Sequence, residues 1–74
     1  MKFIAMPSGD QFRSDYILAI EAAEGRDGEI ASCRASIAPR VIVHLLGGDR
    51  RWYETATFEK ACQLRDRLLK EVSQ

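Results

Sequence analysis

The residues that could carry chemistry in this sequence gather in one short stretch. Residues 50–53 read Arg-Arg-Trp-Tyr, which places two guanidinium groups beside two aromatic rings. Such side chains are enriched at the centres of protein interfaces, and they also stack on unpaired bases. Arg40 and His44 lie on the segment just before this stretch. The candidate binding residues are therefore Arg40, His44, Arg50, Arg51, Trp52 and Tyr53.

A catalytic or metal centre is not indicated. His44 is the sole histidine, which excludes a metal site built from several histidines. Cys33 and Cys62 lack both the CxxC spacing and the neighbouring histidines of a zinc site. Gly47-Gly48 lies where a hairpin turn is expected, rather than between a strand and a helix as a phosphate loop would. We therefore predict a non-enzymatic protein with no cofactor and no metal.

Composition favours one small globular domain, residues 1–74. The chain is 46% hydrophobic and 30% charged, and its formal net charge is zero. Balanced charge argues against a general DNA or RNA binder, because such domains usually carry a basic excess. The two cysteines are expected to be free thiols, and the apolar residues 3–6 are too few for a secretion signal. The expected location is the cytoplasm.

The last segment of the chain, Thr57–Gln74, reads as one amphipathic helix extending to about residue 72. Thr57 is placed to act as the N-cap. One arc of the helix is apolar and needs a surface to pack on: it contains Phe58, Ala61, Cys62, Leu64, Leu68, Leu69 and Val72. Arg65 interrupts this arc. Its stem is expected at the core edge, with its head in water or on a sheet carboxylate such as Glu21 or Glu54; the second interpretation is a guanidinium in a groove between helix and sheet.

The preceding residues, 2–56, supply short strands. Lys2–Met6 and Gln11–Arg13 read as a hairpin around a Pro-Ser-Gly-Asp turn, and Arg40–Leu46 and Arg51–Ala56 as a second hairpin around Gly47-Gly48. Tyr16–Glu24 has helix-forming residues, but strand alternation puts Tyr16, Leu18, Ile20 and Ala22 on one side. We predict a strand there, and an α+β fold: an antiparallel sheet of four or five short strands with the helix on one face.

Two further predictions concern the segment 26–39 and the pairing register of the second hairpin. Residues 26–39 are polar and predict a connection with the most mobile backbone of the fold. In the second hairpin, a loop of two or four residues would put Trp52 on the face of Val41 and Val43, whereas a three-residue loop would put Tyr53 there. We favour Tyr53 inside, because the alternative adds Glu54 to the apolar face. Trp52 would then lie beside His44, for which we expect an aromatic ring as cross-strand partner.

The order of these features resembles that of small single-domain proteins encoded by phages and prophages. It runs from the Pro-Ser-Gly-Asp turn through Asp-Tyr-Ile-Leu-Ala-Ile and Pro-Arg-Val-Ile-Val to Trp-Tyr-Glu-Thr-Ala-Thr-Phe-Glu-Lys-Ala and a helix. The resemblance implies an accessory protein that acts by binding, in some cases as an inhibitor of a host or defence factor, and a location in the host cytoplasm. It supplies no catalytic residues.

These observations predict a protein-binding module that uses the second hairpin and the uncovered sheet face. The alternative is a nucleotide or single-strand binder, with Arg40, Arg50 and Arg51 on phosphate and Trp52 or Tyr53 stacking on bases. A twofold homodimer is also expected. Ile17, Ile42 and Leu46 would form an apolar patch on the uncovered face, and the acidic first half could meet the basic second half of a partner chain.

Overall fold

The structure is a computed structural model that describes residues 2–30 and 33–74, with residues 26–30 and 33–37 described through their backbone alone. Its elements confirm the α+β class and the C-terminal helix. The strands are β1 (Phe3–Ala5), β2 (Gln11–Arg13), β3 (Ile17–Ala23), β4 (Arg26–Ile30), β5 (Cys33–Ile37), β6 (Arg40–Leu45) and β7 (Arg50–Glu54), and the helix is α1 (Phe58–Ser73).

The centre of the fold is a three-stranded antiparallel sheet in the order β3-β6-β7. The strand predicted around residues 16–24 is therefore confirmed, and it pairs with β6 along most of its length. A bulge between Ile17 and Ala19 interrupts the alternation. As a result Leu18 is 62% exposed and Tyr16 lies in a short 3₁₀ turn before the strand, while Ile17 packs against the core. The predicted apolar row of Tyr16, Leu18, Ile20 and Ala22 is thus broken.

The polar connection predicted for residues 26–39 is wrong in its secondary structure. The backbone there forms β4 and β5, which pair antiparallel. Ala23 is opposite Arg40 and Arg26 is opposite Ile37, so the β4-β5 ladder continues the register of β3-β6. The expected mobility of this segment stays a prediction, and part of it falls on residues 31 and 32, which lie outside the described ranges.

One face of the central sheet is covered by two elements side by side. Helix α1 packs against β3, β6 and β1, and the β1-β2 hairpin contributes buried Ile4 and Met6 to the same core. Leu68 and Ala61 are the helix residues that lose all solvent contact. The rest of the cluster comes from the sheet: Ile20, Val41, Val43, Leu45 and Tyr53. The β1-β2 hairpin therefore covers part of the sheet face that the sequence analysis expected the helix to cover alone.

Both ends of α1 are fixed by hydrogen bonds. The Thr57 hydroxyl accepts from the Lys60 amide at 3.1 Å, which confirms the predicted N-cap. At the other end the Lys2 ammonium donates to the carbonyls of Glu71 at 3.0 Å and Gln74 at 3.3 Å. A cation at a helix C-terminus satisfies free carbonyls and complements the helix dipole. These contacts tie the start of the chain to its end.

Among the side chains that the structure describes, Arg65 pairs with a carboxylate of the helix and with none of the sheet. Its guanidinium pairs with the adjacent Asp66 at 3.0 Å, and about a third of its side chain is exposed. Glu21, one of the two carboxylates expected as its partner, is hydrogen-bonded to His44 instead. The partly buried side chain agrees with a stem at the core edge, and of the two predicted positions for the head the structure shows the exposed one, beside Asp66 on the helix itself.

Adjacent leucines on α1 give a matched test of this packing. Leu68 is fully buried and Leu69 is 42% exposed. Leu68→Ala should lower the free energy of unfolding by about 2 to 5 kcal/mol through lost burial and a cavity, which approaches the roughly 3 to 5 kcal/mol available to a domain of this size. Leu69→Ala should change it by less than about 0.5 to 1 kcal/mol. Chemical denaturation followed by circular dichroism measures both, and equal losses would contradict the packing.

The N-cap gives a second test. Thr57→Ala removes the hydroxyl that accepts from the Lys60 amide, and it should cost about 1 kcal/mol of stability. Thr57→Ser keeps the acceptor and should stay close to the wild type. Thermal unfolding at fixed protein concentration compares the three proteins, and a serine variant as unstable as the alanine variant would count against the cap.

Candidate functional site

The site is organised by the way β7 hydrogen-bonds to β6. The Leu45 amide donates to the Asp49 carbonyl and the Thr55 amide donates to the Pro39 carbonyl, both at 2.8 Å. Hydrogen-bonded and non-hydrogen-bonded pairs alternate along an antiparallel ladder. Consequently Arg51 and Tyr53 direct their backbone groups toward β6. The backbone groups of residues 50, 52 and 54 point to the outer edge of the sheet.

The same register divides the side chains between two faces. Val41 is opposite Tyr53 and Ile42 is opposite Trp52, as expected for a loop of three residues, 46–48. Gly47 and Gly48 make this loop possible, because both adopt a positive φ, 92° and 90°. Tyr53 is buried and Trp52 is 53% exposed, so the predicted orientation of the two rings is confirmed. The surface opposite the helix, here called the open face, carries Arg40, Ile42, His44, Arg50, Trp52 and Glu54.

Trp52 is an exposed aromatic ring of the open face and lies on its edge strand, β7. The Arg50 guanidinium is 5.7 Å from the centre of the indole ring, within the range of a cation–π contact. Ile42, its cross-strand neighbour, is only 9% exposed although it lies opposite the core. A half-exposed aromatic ring with a cation near it is the type of surface that releases water when a partner binds.

His44 lies at one side of this surface and is bonded to a carboxylate rather than to a ring. Its Nε2 is 2.7 Å from Glu21 Oε1 on β3. The residues opposite His44 are Arg50 on β7 and Ala19 on β3, so the expected aromatic cross-strand partner is wrong. The pair adds both a polar ring and an acidic group to the open face.

Two of the candidate binding residues lie away from the open face. Arg51 lies on the opposite side of β7, where it lines a shallow cleft of about 280 Å³. The other residues of the cleft are Phe12, Tyr16, Leu45, Leu46 and Asp49. Tyr53 belongs to the core. The structure therefore brings four of the six candidates together: Arg40, His44, Arg50 and Trp52.

Tyr53 has a structural role. Burial raises the pKa of its hydroxyl above the ordinary value of 10.0, with a further increase from Asp10; the nearby Ser8 hydroxyl and the Arg51 guanidinium oppose the shift. The Tyr53 hydroxyl is buried and has no hydrogen-bond partner among the residues that the structure describes. The Ser8 hydroxyl is bonded to Asp10 at 3.0 Å instead. Tyr53 is thus a core ring whose hydroxyl is better neutral than charged.

The apolar patch expected on the uncovered face is smaller than predicted. Ile17 packs against the core because of the bulge in β3, and Leu46 lies in the turn. Ile42 is almost covered by its neighbours on the face. Trp52 is therefore the large apolar group that the open face offers to a partner.

No cluster of three or more histidine, cysteine, aspartate or glutamate side chains arranged to hold a metal ion occurs among the described residues. A helix with the length and apolar content that a bilayer crossing requires does not occur in residues 2–30 and 33–74. Comparison of the chain with protein families, curated proteins and solved structures finds no match.

The buried hydroxyl of Tyr53 predicts a pH dependence. A raised pKa in the folded protein means that stability is fully present below the unfolded pKa and falls as pH rises through the folded one. Relative to Tyr53→Phe, the wild type should therefore lose stability as the pH rises above about 10. Near pH 7 the variant should be at least as stable, because it removes a buried group that has no partner in the described part of the chain. Urea denaturation across this pH range measures the difference, in which all other titrating groups cancel.

Proposed function

We propose that this chain is a small non-enzymatic protein-binding module that contacts its partner through the open face. The observation that carries the proposal is the exposed Trp52 on that face, with the Arg50 guanidinium near its ring. Tryptophan and arginine are the residues most often found at the energetic centre of protein interfaces. Arg40 and the His44–Glu21 pair add polar groups to the same face on the β6 and β3 side of Trp52, as expected of an interface that combines apolar and polar groups.

Charge favours a protein partner over a nucleic acid. The chain has no net charge, and the carboxylates of Glu21 and Glu54 share the open face with its arginines. Phosphate binding would be opposed by these acids. Arg51, which the nucleotide alternative would need beside Trp52, lies on the other side of the strand. Fewer cations are therefore available for phosphate than the sequence suggested.

The resemblance to small phage and prophage proteins suggests the kind of partner. We propose an accessory protein of that class, located in the host cytoplasm and acting on a host or defence protein, in the manner of an inhibitor. A face with one dominant aromatic group suits such a role, since a single large side chain can fill a pocket on the partner.

The test is affinity capture with matched surface variants. The immobilised wild type should recover one stoichiometric protein from a lysate of the cells in which it naturally acts, and Trp52→Ala should lose it or bind at least tenfold more weakly, about 1.4 kcal/mol or more. Phe3→Ala is the control, because Phe3 is exposed to a similar extent, 58% against 53%, on β1. It should bind as the wild type does.

Two results would contradict the proposal. One is a partner that binds the Trp52 and Phe3 variants equally. The other is a saturable change in the emission of Trp52, the single tryptophan of the chain, on titration with nucleotides or short single strands at low salt. That result would favour the nucleotide alternative, in which bases stack on the indole.

A further inference from the structure

The outer edge of β7 is a strand edge that has neither a bulge nor a proline. In the described part of the chain β7 pairs with β6 alone. Helix α1 packs mainly on β3, β6 and β1, and four of the five residues of β7 are exposed. Strand edges are commonly protected from pairing by a bulge, a proline or charged side chains, and of these β7 has only the charges of Arg50, Arg51 and Glu54. The opposite edge strand, β3, contains a bulge, whereas the ladder of β7 is regular and its sequence, Arg-Arg-Trp-Tyr-Glu, has no proline.

The backbone of this edge is directed outward at alternate residues. The N–H and C=O groups of Arg50, Trp52 and Glu54 point away from β6, as the alternation of the ladder requires. One of them, the Arg50 carbonyl, accepts from the Arg51 guanidinium at 3.1 Å. A carbonyl has two lone pairs, so it can accept a second hydrogen bond. The edge therefore presents a regular set of donors and acceptors.

The side chains of the same residues favour one way of pairing two such edges. If two copies of β7 lie antiparallel with Trp52 opposite its own counterpart, Arg50 of each copy lies opposite Glu54 of the other. This register joins the outward backbone groups in hydrogen-bonded pairs and places opposite charges across from each other on the open face. Opposite-charge and aromatic cross-strand pairs both stabilise antiparallel strands.

Other registers are less favourable. Centring the pairing on Arg50, Arg51 or Glu54 places like charges directly opposite each other, which is destabilising. Centring it on Tyr53 leaves Arg50 opposite Ala56. The charge pattern of β7 is thus complementary to itself in one antiparallel register.

We propose that two copies of this chain associate through their β7 edges in the Trp52-centred register. The two central sheets would then form one sheet of twice the width, and the two open faces would form one continuous surface with the Trp52 rings at its middle. This interface differs from the apolar patch that the sequence suggested for a dimer. It depends on the backbone and charges of β7, and it does not depend on the proposed binding of another protein.

Charge reversal tests the proposal. The wild type should show a concentration-dependent molar mass between one and two chains in sedimentation equilibrium. Arg50→Glu or Glu54→Arg should raise the dimer dissociation constant by about tenfold or more, because each creates like-charge pairs at both ends of the interface. The double variant restores opposite charges and should dimerise like the wild type. An equimolar mixture of the two single variants should form a heterodimer more tightly than either variant self-associates.

A control variant distinguishes a specific effect at the β7 edge from a general effect of net charge on association. Glu24→Arg changes the net charge as Glu54→Arg does, on an exposed residue outside β7, and should leave the dissociation constant unchanged. Circular dichroism confirms that each variant is folded, which matters for Glu54→Arg because Arg40 lies opposite. A wild type that stays monomeric at every concentration, or a dimer that is insensitive to both reversals, would overturn the proposal.

Discussion

The register between β6 and β7 is the constraint on which the rest of the structure depends. The three-residue loop containing Gly47 and Gly48 sets this register, and both glycines adopt a positive φ, which other residues rarely tolerate. A shift by one residue would exchange the two faces of β7. It would put Trp52 into the core and Tyr53 outside, and it would turn a different set of backbone groups to the edge. The turn at Gly47-Gly48 thus determines which β7 side chains enter the core, which lie on the open face and which backbone groups point to the outer edge.

The second constraint is the size of the chain. One helix and the β1-β2 hairpin suffice to cover one face of the central sheet, and they bury a compact set of aliphatic residues there. No described element packs over the other face in the same way. On that face the Ile42 side chain is almost completely buried, whereas the Trp52 side chain remains half exposed. A domain with so thin a core gains from any partner that covers an exposed ring, because binding stabilises the folded state.

Sequence reasoning succeeded where local rules dominate. The N-cap at Thr57, the hairpin turn and the inward position of Tyr53 follow from capping, turn geometry and the position of Glu54. It failed where tertiary structure overrides composition. The polar residues of β4 and β5 carry no hydrophobic alternation, and their pairing follows from the ladder that β3 and β6 begin. The bulge that exposes Leu18 does not alter the pattern of apolar residues, so the sequence does not reveal it. The same is true of the ion pair between Arg65 and Asp66. Arg51 and Trp52 were grouped because they are adjacent, yet adjacent strand residues point to opposite faces.

Amide hydrogen exchange along β7, measured by NMR at several protein concentrations, reports on both the β6-β7 register and the pairing of the β7 edges. The amides of Arg51 and Tyr53 should exchange slowly throughout, because they are bonded to β6. Those of Trp52 and Glu54 should exchange quickly in dilute protein and more slowly as the concentration rises and the edges pair. A pattern shifted by one residue, with Trp52 protected at all concentrations and Tyr53 exchanging quickly, would contradict the register and with it the account of both surfaces.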